Sequence, residues 1–82
     1  MPLVDIHLIK GAWTLDQKQE MMRATTDALV KIWGEPVREL TWVRVLEVEE
    51  GQWALGGEPW TVDHVRKLRD AGGDASRKGE AS

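Results

Sequence analysis

The sequence predicts an α+β fold, close to the α/β class, in which the subunit is a single βαβ unit. Two segments rich in β-branched and apolar residues, 2–9 and 40–48, flank a segment with helical spacing of its apolar residues, 14–33. A strand, a crossover helix and a second strand place the two strands parallel, with a right-handed connection. One helix covers only one face of so small a sheet, so we expect oligomerisation to bury the other face.

The first strand is predicted over residues 2–9, with the sequence PLVDIHLI. The helix is predicted to follow Thr14, because Thr14 and Gln17 have the spacing of a capping box. Gly34 and Pro36 are expected to end it. Apolar residues recur in this helix at intervals of three, four and seven, which indicates one packed stripe. They are Leu15, Met22, Leu29, Ile32 and Trp33.

The second strand is predicted over residues 40–48, after a turn that begins at Pro36. Side chains alternate between the two faces of a strand. On that rule one face carries Leu40, Trp42, Arg44, Leu46 and Val48, and the other carries Thr41, Val43, Val45 and Glu47.

The remaining third of the chain predicts smaller elements. Residues 49–58 have glycines towards both ends and apolar residues between them, which indicates a short hairpin or loop. Thr61 is placed to cap a short C-terminal helix that ends near residue 69. Residues 71–82 contain no Val, Ile, Leu, Met or Trp, so we predict a folded domain over 1–70 and a disordered tail over 71–82.

Composition narrows the possible functions. The 82 residues include no cysteine, which excludes disulfides, thiolate metal sites and cysteine nucleophiles. Eleven Lys and Arg against fourteen Asp and Glu give a net charge of −3, which argues against the dense basic surface that nucleic acids require. The two isolated histidines, His7 and His64, do not have the spacing of a metal site. No apolar run approaches the roughly 20 residues that span a bilayer, and residues 1–10 lack the basic segment followed by an apolar segment that is typical of a signal peptide. We therefore expect a cytoplasmic protein that contacts neither membranes nor nucleic acids and acts on small molecules or protein partners.

Pro2 is the first candidate for chemistry. Removal of Met1, which is usual before a small residue, would expose the secondary amine of Pro2. An apolar pocket or a nearby cation lowers the pKa of such an amine and leaves a neutral base near neutral pH. That base could remove a proton from carbon, or the amine could condense with a carbonyl group.

The order of features along the chain resembles the 4-oxalocrotonate tautomerase family. Pro2 opens a strand that contains Ile6 and His7, Asp-Gln-Lys at 16–18 lies in the first turns of the helix, and a Trp-Ala-Leu-Gly-Gly segment occupies 53–57. The resemblance implies a βαβ subunit that assembles into a homo-oligomer, commonly a hexamer, with trimers or dimers as alternatives. It also implies that Pro2 is the catalytic proline, which moves a proton between carbons of an enol or ketone without metal or cofactor.

The same resemblance assigns further substrate-binding residues. Trp53 falls where the family has an aromatic residue, usually Phe, that lines the pocket and keeps the proline in apolar surroundings. Two arginines of the founding members are replaced, one by Ala12 and the other by Trp42. Arg44, two residues after Trp42 on the same predicted face, or Lys10 would then bind the substrate's carboxylate. Trp cannot form the two parallel N–H bonds by which Arg holds a carboxylate, so we expect poor turnover of the dicarboxylate 4-oxalocrotonate.

Two alternative functions stay open at the level of sequence. Glu47 aligns with a carboxylate that activates water in the 3-chloroacrylic acid dehalogenase branch, which suggests a hydratase or dehalogenase of unsaturated acids. Related tautomerases also have Glu at this position, so Glu47 does not select between the two reactions. The second alternative is a non-catalytic oligomeric protein that retains the fold without the arginines.

Overall fold

The protein is described by a computed structural model, which gives the backbone of residues 1–81 and the side chains of residues 1–72. The elements follow in the order β1 (Leu3–Ile9), α1 (Leu15–Trp33), a 3₁₀ helix (Glu35–Leu40), β2 (Trp42–Val48), β3 (Ala54–Leu55), β4 (Glu58–Pro59) and α2 (Val62–Ala81). The predicted α+β class and the βαβ order are confirmed. The C-terminal helix α2 continues to Ala81 instead of ending near residue 69 as predicted. The disorder expected for the tail, 71–82, stays a prediction.

The chain divides into two compact units. The first contains Met1–Leu8 and Trp13–Glu47, and therefore most of β1, the whole of α1 and most of β2. The second contains Ile9–Ala12 and the chain from Val48 onward, with the short hairpin and α2.

Strands β1 and β2 are hydrogen-bonded neighbours in a two-stranded sheet. The Trp42 amide donates to the Pro2 carbonyl at 2.9 Å, and the Lys10 amide donates to the Val48 carbonyl at 2.8 Å. Because the starts of the two strands pair with each other and so do the ends, the strands are parallel, as the βαβ order predicts.

Strand β2 begins later than predicted. Leu40 belongs to the 3₁₀ helix, and Thr41 is the residue that caps its end. The Thr41 hydroxyl donates to the Val37 carbonyl at 2.7 Å. Pro36 lies in the first turn of that 3₁₀ helix. Proline is favoured there because its missing N–H would have no partner in a first turn. The predicted turn at Pro36 is therefore a longer helical turn, which uses the first two residues of the predicted strand.

The two faces of the sheet differ in exposure. Val4, Ile6 and Leu8 are half-buried, and so are Val43 and Val45. An ion pair between Lys18 of α1 and Glu47 identifies this as the face towards the helix. The opposite face carries exposed side chains, which are Leu3, Asp5, His7, Trp42 and Arg44. The predicted alternation is confirmed in the first half of β2, over residues 42–45.

Helix α1 begins and ends where the sequence predicts. The Thr14 hydroxyl accepts from the Gln17 amide at 3.1 Å, and the Gln17 side chain accepts from the Thr14 amide at 2.8 Å. At the other end Gly34 has a φ of 116°, a conformation that side chains with a Cβ rarely adopt, and its N–H donates to the Val30 carbonyl. The capping box and the glycine stop are confirmed.

The predicted apolar stripe of α1 is only partly packed. Leu15 at the first turn is 65% exposed, whereas Ile32 and Trp33 at the last turn are 82% and 68% exposed. A helix of this length measures about 28 Å at 1.5 Å per residue, and a seven-residue strand measures about 23 Å. Because the helix is longer than the strands, its terminal apolar residues are left without sheet beneath them.

In the second unit, β3 and β4 form an antiparallel hairpin in which Ala54 pairs with Pro59 and Leu55 with Glu58. Gly56 and Gly57 supply the two positive φ angles, 61° and 85°, that a two-residue hairpin turn requires. The predicted hairpin is confirmed. Thr61 caps α2 as predicted, since its hydroxyl accepts from the His64 amide at 3.3 Å. The His64 ring also contacts Trp60, with ring centroids 5.1 Å apart.

Candidate active site

Pro2 lies at the very start of the parallel sheet. Its carbonyl accepts a hydrogen bond from the Trp42 amide. This bond between the two strands fixes the position of Pro2. Pro2 is half-buried, whereas Met1 before it is 80% exposed. While Met1 is attached, the Pro2 nitrogen is a tertiary amide, which has neither a proton to donate nor a basic lone pair.

A cavity of about 430 Å³ adjoins Pro2 within the first unit. It is lined by Met1, Pro2, Leu29, Ile32, Trp33, Val37 and Leu40. All of these side chains are apolar. Val37, only 4% exposed, is the most firmly packed of them. Two of these residues precede β1, and the others come from the last turns of α1 and from the 3₁₀ helix. The end of α1 therefore forms one wall of the cavity. We refer to this space as the Pro2 cavity.

Arg44 lies on the open face of the sheet and is held by a carboxylate. Its Nε and Nη2 donate to the two carboxylate oxygens of Asp5, each at 2.9 Å. This two-pronged hydrogen bonding lowers the pKa of Asp5 and raises that of Arg44. Trp42, on the same face, is 62% exposed. Neither residue is among the described residues that line the Pro2 cavity.

Glu47 lies on the opposite face, towards α1. Lys18 Nζ is 3.0 Å from Glu47 Oε1, and the two side chains are only 19% and 28% exposed. The carboxylate that the sequence suggests as a water-activating group is therefore engaged by a cation from the first turns of α1.

The other candidate residues belong to the second unit. Trp53 is half-buried, and its carbonyl accepts from the Trp60 amide at 2.7 Å beside the hairpin. Lys10 follows β1 and pairs with Glu49 at 3.0 Å, with both side chains about 60% exposed. Both residues thus belong to the second unit, whereas Pro2 belongs to the first.

The family model described as tautomerase enzyme matches residues 2–62. The chain belongs to the tautomerase family. The match begins at Pro2 and includes the βαβ unit, the hairpin and the start of α2, so it contains every candidate site residue.

Individual relatives agree with this assignment. The chain is 36% identical over 61 residues to a protein named probable tautomerase K2 from Dickeya dadantii. The aligned segment covers 74% of this chain and 90% of the relative. It resembles the crystal structure of DmpI from Helicobacter pylori with a TM-score of 0.64 and 31% identity, over 77% of this chain and 98% of that one. A solved 4-oxalocrotonate tautomerase homologue gives a TM-score of 0.61 and 33% identity, over 70% and 87% of the two chains. The resemblance that the sequence suggests is confirmed.

Sequence reasoning missed the wall of the Pro2 cavity in this tautomerase-family chain. Leu29, Ile32 and Trp33 were expected to pack in the core as part of the α1 stripe. Instead they line the cavity, and two of the three are highly exposed. The available signal was a run of apolar residues immediately before the Gly34 stop, where no predicted strand was long enough to cover them.

No helix within the described part of the chain combines the length and the apolar character needed to cross a lipid bilayer.

Proposed function

We propose that the protein is a tautomerase that uses the secondary amine of Pro2, freed by removal of Met1, as its general base and acid. The observation that carries this proposal is the position of Pro2. It is the first residue of the family match, it is hydrogen-bonded into the sheet, and it borders an apolar cavity. Apolar surroundings favour the neutral amine over the ammonium ion, which is the form a general base requires.

The proposed reaction is a keto–enol or double-bond isomerisation of a small α-keto or unsaturated acid, and its keto–enol form proceeds in two proton transfers. The neutral amine accepts the enol O–H proton while the oxygen electrons form the carbonyl double bond. The electron pair of the carbon–carbon double bond then takes a proton from the resulting ammonium group. No atom is gained or lost, and the amine returns to its neutral form.

Other residues are proposed to bind the substrate. Trp53 would provide an aromatic wall, and Trp42 would border the site from the start of β2. Arg44 or Lys10 would bind the substrate's carboxylate or the developing oxyanion. Arg44 must exchange Asp5 for the substrate in order to do so, since Asp5 already occupies both prongs of its guanidinium group.

The enzyme is proposed to act as a homo-oligomer, with a hexamer favoured over a trimer or dimer. The open face of the sheet carries Leu3 and Trp42, which are 58% and 62% exposed. Contact with other copies would remove these large apolar side chains from water.

The decisive experiment combines an intact mass with kinetics. The purified protein should lack Met1 and should catalyse ketonisation of phenylenolpyruvate or 2-hydroxymuconate. Pro2→Ala should lower kcat at least a hundredfold, because the primary amine of alanine retains neither the ring geometry nor the basicity of proline. A protein that keeps Met1 while remaining fully active, or equal rates for both proteins, would refute the proposal.

No observation favours the hydratase alternative, since Glu47 is paired with Lys18. The two reactions also need opposite forms of the Pro2 amine, because addition of water requires the ammonium form as the acid. An NMR titration of the Pro2 nitrogen distinguishes them.

A further inference from the structure

The side chains around the Pro2 cavity indicate which substrates the proposed tautomerase prefers. All the described residues that line the cavity are apolar, and its volume of about 430 Å³ lies within the range of about 300–1,000 Å³ typical of small-molecule pockets. Such a cavity can bury an aromatic or branched hydrocarbon group. It offers no partner to a second carboxylate, which would lose its hydration on entering.

No described lysine or arginine of the first unit lines the cavity, so none is placed to hold a second carboxylate inside it. Its described lysines and arginines are Lys18, Arg23, Lys31, Arg38 and Arg44. Four of them are already in ion pairs, with Glu47, Glu20, Asp27 and Asp5 respectively. Lys31, the remaining one, follows Leu29 by two positions on α1 and therefore projects from the opposite side of the helix to the cavity wall.

The wall itself suits an aromatic group. Leu29 and Trp33 are four residues apart and lie on one side of α1, so their side chains form a continuous surface. Trp33 is 68% exposed in the chain alone, which leaves its indole free to pack against a ligand ring. Met1 forms another part of the wall, and its removal would widen the cavity beside the Pro2 nitrogen.

We propose that the Pro2 cavity binds the apolar end of an aryl or branched-alkyl enol with a single carboxylate, and that Trp33 determines this preference over dicarboxylates. This inference rests on the proposed function, since it assigns a substrate class to the same amine.

The test measures kcat/KM of the processed protein for phenylenolpyruvate, an aryl monocarboxylate, and for the dicarboxylate 2-hydroxymuconate. We expect at least a tenfold preference for the aryl substrate. Trp33→Ala should raise KM for phenylenolpyruvate at least fivefold while changing the dicarboxylate kinetics less than twofold. Leu15→Ala is the matched control, because Leu15 is an equally exposed apolar residue at the other end of α1 and does not line the cavity.

A second variant tests the missing charge directly. Leu40→Arg places a guanidinium group at the cavity, at a position that is already 42% exposed and therefore tolerant of substitution. It should shift the ratio of the two kcat/KM values at least tenfold towards the dicarboxylate.

Two results would overturn the inference. One is a wild-type preference for the dicarboxylate, and the other is an equal loss with both substrates in Trp33→Ala. If the molecular mass of Trp33→Ala in solution changes together with such an equal loss, a second copy of the chain covers the cavity. If Pro2→Ala abolishes both reactions and one of these results is found, the inference alone fails. If Pro2→Ala has no effect, the proposed function fails.

Discussion

The pairing of Arg44 with Asp5 has a consequence for the pH dependence of stability. The guanidinium group lowers the pKa of Asp5 below its ordinary value of 3.8, first through their hydrogen bonds and further through charge attraction. A carboxyl group whose pKa is lower in the folded state stabilises that state above its unfolded pKa. The stabilisation is lost as the pH falls through the folded pKa.

Asp5→Asn should therefore be less stable than the wild type at neutral pH, and the difference in free energy of unfolding should shrink below about pH 3.8. Urea unfolding between pH 7 and pH 2.5, at fixed protomer concentration, measures this. Asp70→Asn is the control, because Asp70 is 78% exposed and its ion pair with Arg69 is long, with 3.8 Å between Asp70 Oδ1 and Arg69 Nε. A difference that stays constant down to pH 2.5 would show that the pair does not contribute.

Pairs of this kind mark a limit of reasoning from sequence. Alternation in β2 predicts correctly that Arg44 shares a face with Trp42. It does not reveal that Asp5 accepts both hydrogen bonds of that guanidinium group, because Asp5 is 39 residues away in the chain. The register of β1 against β2 decides which carboxylate meets which cation, and register depends on packing that one sequence does not specify. The pairing of Lys18 with Glu47 is likewise not evident from the sequence, because the two residues are 29 positions apart and meet only through packing of α1 on the sheet.

At the scale of elements, the start of α1 depends on two local hydrogen bonds between Thr14 and Gln17. Thr14→Ala removes the hydroxyl acceptor and should lower the free energy of unfolding by about 1 kcal/mol. Thr14→Ser keeps the acceptor and should be close to the wild type. Urea denaturation of the three proteins at one protomer concentration checks this, and equal stability of the Ala and Ser variants would contradict the capping role.

Elements that depend on local chemistry were predictable, and those set by long-range packing were less so. The Thr14 cap and the Gly34 stop each require only neighbouring residues, and both occur as predicted. The segment 49–58, predicted as a short hairpin or loop, forms the hairpin with its turn at Gly56 and Gly57. The first residues of the predicted second strand were misassigned, because Leu40 is apolar and suits either a strand or a 3₁₀ turn. Pro36, at the start of this segment, is the local signal that favours a 3₁₀ turn.

At the scale of the whole molecule, the buried core is small. Of the described side chains, only the apolar residues Ile9, Ala12 and Val37 are buried, while many larger apolar residues face water. A chain of this size buries too little surface to be very stable alone, so association is the expected remedy.

We expect a solution mass that is a multiple of 9.3 kDa, with six copies favoured. Leu3→Glu should reduce that mass, because it places a charge on the open face of the sheet. Light scattering measures the mass, and circular dichroism verifies that the variant is folded. Glu20→Gln on the exposed side of α1 is the control and should leave the mass unchanged. A wild-type monomer at micromolar concentration would refute the proposed assembly.

The hydrogen bond from the Trp42 amide to the Pro2 carbonyl bears on what happens at a new chain terminus. The first residues of a chain usually fray, and a frayed amine would have to be reoriented in every catalytic cycle. Here the sheet holds the Pro2 carbonyl, and the residues of the cavity wall lie beside the proline ring. Only rotation about the Pro2 Cα–C bond could then displace the nitrogen. Cleavage after Met1 would thus release an amine whose orientational entropy has already been lost during folding, and the base would meet its substrate preorganised.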